Sequence, residues 1–186
     1  MIEFRDLTAD EIEVRVQSIK QKHGTPTGAV LLLYKDARCD MKILDETVGA
    51  ENWQREHYEC KGNLFCRVGI STCLKDDKAV NEWVWKSDCG VESNTEAQKG
   101  EASDSFKRAC FNWGIGRELY TSPFIWITPD KCEIYDTGRK DKYGNTIFAT
   151  NDRFVVEKIV IKDKKITGLA IRNDTKNERA FIWQRS

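Results

Sequence analysis

The stretch KGEASDSFKRACFNWGIGRELY, residues 99–120, sets two adjacent cations, Lys107 and Arg108, among residues of core type. Ala102, Phe106, Ala109 and Trp113 recur at helical spacing, which predicts a helix running to about Trp113 with that stripe turned inward. Successive helical residues stand about 100° apart. Lys107 follows Phe106 and Arg108 precedes Ala109, so the two cations flank the buried stripe. Lys99, Ser103 and Lys107 fall on one line at i, i+4 and i+8. Gly114 and Gly116 then permit the backbone turn that stops the helix. Cations along the rim of a packed helix suit phosphates, and a single DNA strand asks for cations with flat side chains nearby. Lys20, Lys22, Tyr34, Lys99, Lys107, Arg108 and Arg117 are the candidates. On spacing alone the ordinary reading of the Lys107-Arg108 pair is a solvated helix face, as most such pairs are.

Other chemistries find little support. The sequence has no phosphate-loop glycine motif, no nucleophile elbow and no H-E-x-x-H pair. His23 and His57 are the two histidines and read as surface residues. The acids are scattered rather than gathered for a metal, and Asp76-Asp77 reads as a turn. Seven cysteines (39, 60, 66, 73, 89, 110 and 132) without C-x-x-C spacing form neither a zinc site nor a disulfide framework. They read as reduced thiols, several on apolar faces. No enzyme, cofactor or metal is expected.

Composition narrows the class further. Forty per cent of the 186 residues are hydrophobic, enough for a packed core. Thirty basic residues balance thirty acidic ones, which argues against coating nucleic acid by bulk charge but leaves room for a local patch. The charge is uneven: residues 131–186 carry 13 basic and 8 acidic side chains. No signal-peptide pattern opens the chain and no apolar run approaches membrane length, so a soluble, intracellular protein is expected.

The elements that must position the cations follow from patterning. Thr8 and Glu11 have capping-box spacing, Leu7 and Ile12 staple spacing, and Ile12, Val16 and Ile19 a helical stripe, predicting a helix closed by Gly24 and Pro26. Residues 27–34 read as a buried strand, and Asp36 to Gly49 as a capped helix. WQREHYEC, LFCRVGISTCLK and VNEWVWKSDCG read as three antiparallel strands, with Leu64, Cys66, Val68 and Ile70 sharing one face. Asn94 or Thr95 caps the long helix. Residues 122–128 predict another strand, residues 136–152 a polar loop, and the rest a hairpin turning at Lys164-Lys165 plus a last strand.

The Lys99–Tyr120 stretch resembles the signature helix of phage single-strand annealing proteins of the Rad52 superfamily: K-G-x-A-S-D-x-x-K-R-A, then G-I-G-R-x-L-Y. Residues 34–54 resemble that family's strand–helix segment and residues 65–90 its sheet, so the likeness covers roughly 25–120. It implies an α+β fold in which a curved antiparallel sheet, a β-β-β-α core, packs on a long helix, with N-terminal helices and a C-terminal β extension. The expected division is an annealing core over 1–120 and a β extension over 121–186. The resemblance further implies side-by-side protomers forming a ring or arc. One DNA strand then lies in a basic groove, with Lys107, Arg108 and Tyr34 as groove residues. Two positions depart from the pattern: a third groove cation is replaced by Phe111, and an arginine ahead of the first strand has Lys20, Lys22 or His23 as its nearest substitutes.

The expected function is ATP-independent annealing of complementary strands in phage or prophage recombination and repair, in the cytoplasm of a bacterial host. The expected partners are single-stranded DNA, its complement, further copies of the chain and a host or phage single-strand-binding protein. A non-annealing coat of single strands and a small nuclease are the rival readings.

Overall fold

A computed structural model of the chain describes residues 2–71, 82–91 and 97–185. The turn expected at Asp76-Asp77 and the helix cap expected at Asn94 or Thr95 lie outside the described residues. The fold is mixed α+β with antiparallel strand pairing, as the sequence predicts. The chain forms two compact units, one from residues 1–6 and 36–117, the other from 7–35 and 118–186.

The N-terminal helix does not form. Thr8 and Glu11 cap only a 3₁₀ turn, Ala9–Glu11, in which the Glu11 carboxylate accepts from the Thr8 amide at 3.0 Å. The chain then runs as strand β1, Glu13–Lys22, and returns as β2, Thr25–Tyr34. Their connection is His23-Gly24, with φ of 51° and 77°. Two consecutive residues at positive φ make the hairpin turn whose twist matches the flanking strands. The stripe Ile12, Val16, Ile19 fits a helix by spacing. Val14 and Val16 fit an alternating strand as well, and with β-branched side chains the tight turn and the partner strand decide the outcome.

In the first unit, α1 spans Ala37–Val48 with Asp36 as N-cap, its carboxylate accepting from the Arg38 amide at 2.7 Å, and Gly49 ends it. Strands β3 (Trp53–Cys60), β4 (Asn63–Ser71) and β5 (Trp83–Cys89) follow as an antiparallel sheet in the order β3-β4-β5. Lys61-Gly62 supplies the first turn, again with both residues at positive φ. Helix α2, Ala97–Trp113, packs on β4 and β5. The inner face of β4 is Cys66, Val68 and Ile70, and α2 meets it with Phe106, Ala109 and Cys110, all of them fully buried. Burying a side chain the size of Phe106 contributes about 2–3 kcal/mol. Phe106 stacks on Trp53 with ring centroids 6.2 Å apart. On the opposite face of the sheet Trp85 lies over Gly69, where a Cβ would meet its ring at 2.9 Å.

In the second unit, β1 and β2 join β6 (Ile125–Ile127), β9 (Phe154–Lys162), β10 (Lys165–Asn173) and β11 (Glu178–Gln184) in one sheet of order β11-β10-β9-β1-β2-β6. Its end strands, β6 and β11, approach each other, so the sheet nearly closes around Leu31, Ile125, Ile127, Ile166 and Ile171. The β9–β10 turn is Asp163-Lys164, at φ of 50° and 59°, one residue earlier than the sequence suggests. The segment expected to be a polar loop contains a second small sheet, β7 (Tyr135–Lys140) with β8 (Thr146–Ala149). Its alternation is hidden because few of its residues are apolar. A buried amide lock ties the neighbouring loops: the Asn173 Nδ2 donates to the Asp152 carboxylate at 2.7 Å and to the Lys131 carbonyl at 3.0 Å.

Two outcomes follow. Gly28 sits against β6, where a Cβ would stand 2.5 Å from the Ile127 carbonyl oxygen and from the Trp126 ring. Gly28→Ala is expected to cost about 2 kcal/mol in urea unfolding, since a backbone carbonyl cannot step aside as a flexible side chain can. Burial also pushes the Cys66 thiol up to about 11. A thiol raised on folding stabilises the folded state fully below the ordinary thiol range, and that contribution is lost as pH rises towards 11. In mildly alkaline buffer, alkylation followed by peptide mass spectrometry should label exposed Cys60 and spare Cys66 until the protein is unfolded.

Candidate nucleic-acid interface

The buried stripe of α2 fixes where its cations go. Phe106, Ala109 and Cys110 face the sheet, so Lys107 and Arg108 emerge on opposite flanks of the stripe, both half-buried. Lys107 lies on the α1 side, where its charge reaches the Asp36 carboxylate. Asp36 is held below the usual carboxylate range, first by its hydrogen bonds from Arg38 and in smaller part by Lys107. Lys107 itself makes no hydrogen bond or ion pair among the described residues. Arg108 lies on the β5 side and donates from Nε to Asp88 Oδ1 at 3.3 Å.

Around Arg108 the sheet adds residues that spacing along one helix cannot reveal. Lys86 and Asp88 stand on β5 directly opposite Val68 and Cys66, so they share the helix-facing side of the sheet. The Lys86 ammonium sits 4.6 Å from the centre of the Trp113 ring and donates to the Asn112 carbonyl at 2.9 Å. Asn112 donates to the Ser87 carbonyl and to Asp88. The signal was present as alternation in VWKSD, but turning it into a face needs the β4–β5 register.

The C-terminus of α2 explains Arg117. The Gly114 amide bonds the Phe111 carbonyl and the Ile115 amide bonds the Cys110 carbonyl, a Schellman closure with Gly114 at φ 104° and Ile115 buried. Arg117 then wraps back: Nε and Nη2 donate to the Phe111 carbonyl and Nη2 also to that of Asn112, at 2.8–3.0 Å. Its guanidinium therefore caps helix carbonyls, and the negative end of the helix dipole favours it there. The Phe111 backbone carbonyl accepts two of the three bonds from Arg117.

Lys107, Arg108 and Arg117 lie in the same unit, as does the backbone of Lys99 in the first turn of α2. Tyr34, Lys20 and Lys22 belong to the other unit. Within that unit the hairpin separates them: Tyr34 pairs with Glu13 at its open end, and Lys22 pairs with Thr25 beside the turn. Nine residue steps along a strand span about 30 Å. The Arg15 guanidinium lies 5.6 Å from the centre of the Tyr34 ring. Lys20 and Lys22 are exposed on β1.

A family model for the Rad52/22 family double-strand break repair protein matches residues 4–130, more than half of the chain. The chain belongs to the Rad52/22 family. No curated protein and no solved structure matches it. Membership places the chain among proteins of DNA repair and recombination, and the matched span takes in α2 and the cations on its flanks. In this Rad52/22 chain no helix among the described residues is long and apolar enough to cross a membrane.

The two kinds of cation should separate by stability. Arg117→Ala removes three hydrogen bonds from two helix carbonyls, each of which keeps one other donor, and is expected to cost about 1 kcal/mol in urea unfolding. Lys107→Ala removes no bond and should stay within about 0.5 kcal/mol of the parent.

Proposed function

We propose that this Rad52/22 chain binds single-stranded DNA and anneals it to its complement without ATP, serving phage or prophage recombination and repair as an oligomeric ring or arc. The observation that carries the reading is Lys107: a half-exposed ammonium on the family's signature helix, without a hydrogen-bonded partner among the described residues, beside Arg108. A cation that the fold does not consume is available to a phosphate. Arg108 and Lys99 are the further proposed DNA contacts of this unit, and Tyr34, Lys20 and Lys22 those of the other unit. Arg117 enters through its remaining Nη1 donors. Lys86 and Asn112, which the sequence alone did not single out, surround the Arg108–Asp88 pair and hold it in place.

The mechanism needs no catalytic group. Lysine and arginine side chains displace counterions from phosphates and give sequence-independent, salt-sensitive binding. Lining up copies multiplies weak contacts by raising the effective concentration of each site along the strand. Bases held unpaired meet a complementary strand, and duplex formation supplies the free energy. Self-association and single-stranded DNA are the partners this requires; a host or phage single-strand-binding protein would deliver the substrate strand.

The double variant Lys107→Ala/Arg108→Ala is expected to weaken binding to strands of any sequence and to lower the slope of log K against log salt by about 1.4. Fluorescence anisotropy at several salt concentrations measures both. Mixing two complementary labelled strands without ATP or metal should show faster annealing with the parent protein and slower annealing with the variant. Strands that stay coated and unpaired would indicate a non-annealing binder, and magnesium-dependent cleavage a nuclease.

A further inference from the structure

Beyond the span that the family model matches lies a second basic surface, on the outward face of β9–β10–β11. Direct cross-strand partners share a face, so the register gives its layout. Lys158, Ala170 and Ile182 form one row across the three strands, and Val160, Gly168 and Gln184 the next. Lys162 follows beside the hairpin turn. The middle strand contributes only a methyl group and a hydrogen, whereas Val160 and Ile182 stand up on either side at 38% and 70% exposure. The result is a shallow groove about two strand spacings, or roughly 10 Å, across. A Cβ at Gly168 would stand 3.3 Å from Val160, so a larger residue would fill the floor.

Charge says what suits this groove. Lys158, Lys162 and Arg185 line it and carry no side-chain ion pair or hydrogen bond among the described residues. Arg185 is held in place by its own backbone amide, which donates to the Thr167 carbonyl at 2.8 Å. Of the other cations on these strands, Arg179 grips Glu157 through two donors and Arg172 grips Asp174, while Lys165, the cross-strand partner of Lys162, adds one more cation without a side-chain bond among the described residues at the turn end. Acids thus neutralise the cations at the far end of the sheet and leave three at the groove uncompensated. Residues 131–186 also hold 13 basic against 8 acidic side chains. Apolar walls with a cationic rim suit an extended polyanion carrying apolar groups, which describes a single DNA strand better than a folded acidic protein.

We infer that the β9–β11 groove is a second contact for single-stranded DNA, in which Lys158, Lys162 and Arg185 hold phosphates while Val160 and Ile182 touch sugars and bases. The inference rests on the proposed single-strand binding. It assigns the tail a share in holding the strand that is independent of the cations on α2.

The test uses the full chain and a fluorescein-labelled polythymidine strand. The variant Lys158→Ala/Lys162→Ala/Arg185→Ala should lower the salt slope by about 2 and weaken binding on the order of 100-fold near 0.1 M salt. Lys158→Arg/Lys162→Arg/Arg185→Lys keeps the charges and should restore binding. Circular dichroism should be unchanged in both, because all three side chains are solvent-facing. If the parent binds the strand and the alanine variant binds with the same affinity and slope, the groove assignment is overturned while the annealing reading stands. If the parent does not bind at all, the annealing reading falls first. If light scattering shows that the alanine variant loses oligomer mass while its salt slope is unchanged, the groove is a contact between copies and the inference is equally overturned.

Discussion

The seal between α2 and the β3–β5 sheet is the constraint on which the candidate site depends. Phe106, Ala109 and Cys110 have no solvent exposure and meet an equally buried row on β4. With that stripe fixed inward, the helix period leaves Lys107 and Arg108 no choice but its two flanks. Each flank then has its own electrostatics. On one side Lys107 faces the capped start of α1; on the other Arg108 meets Asp88, itself oriented by Asn112. Substitutions that loosen the seal therefore rotate or blur the cations without touching them. Substitutions of the cations should leave the seal intact.

Much of the first unit was legible in the sequence because its signals are local. Asp36 and Gly49 bound α1 as capping rules require, and alternation in β4 assigns Cys66, Val68 and Ile70 to the core. The error at residues 8–24 is also local in origin. A stripe at Ile12, Val16 and Ile19 satisfies the helical period, and only the His23-Gly24 pair announces the hairpin. Pairing with β2 then overrides the helical stripe. What the sequence could not supply was anything that depends on register. Lys86 and Asp88 face α2 because β5 pairs with β4 at one particular offset, and a shift of one residue would send both to the other side. The same holds for Arg117, whose role as a helix cap follows from the Gly114 turn that aims it back at Phe111 and Asn112.

The distribution of charge acquires meaning once pairs are separated from singles. A balanced chain can still present cations without a side-chain bond, and among the described residues the flank of α2 and the face of β9–β11, which both do so, belong to different units. On α2 the fold spends Arg117 and Lys86 on carbonyls and leaves Lys107 unbonded. On β9–β11 it spends Arg172 and Arg179 on acids and leaves Lys158, Lys162, Lys165 and Arg185. Counting lysines and arginines in a sequence cannot draw that distinction. Hydrogen-bond geometry can.

The pairing of β1 with β9 carries a consequence for how the polypeptide is made. Glu13 meets Val155 across some 140 intervening residues, whereas every strand pair of the β3–β5 sheet closes within a few dozen. Loop-closure entropy makes the distant pairing slow and the nearby ones fast. During synthesis the β3–β5 sheet and α2 can assemble as soon as residue 117 has left the ribosome. The early β1–β2 hairpin must wait, its future neighbours unborn, until the last strands emerge. Nascent chains therefore carry an unpaired strand edge for most of their elongation, and a helper that shields such edges would act on this hairpin first.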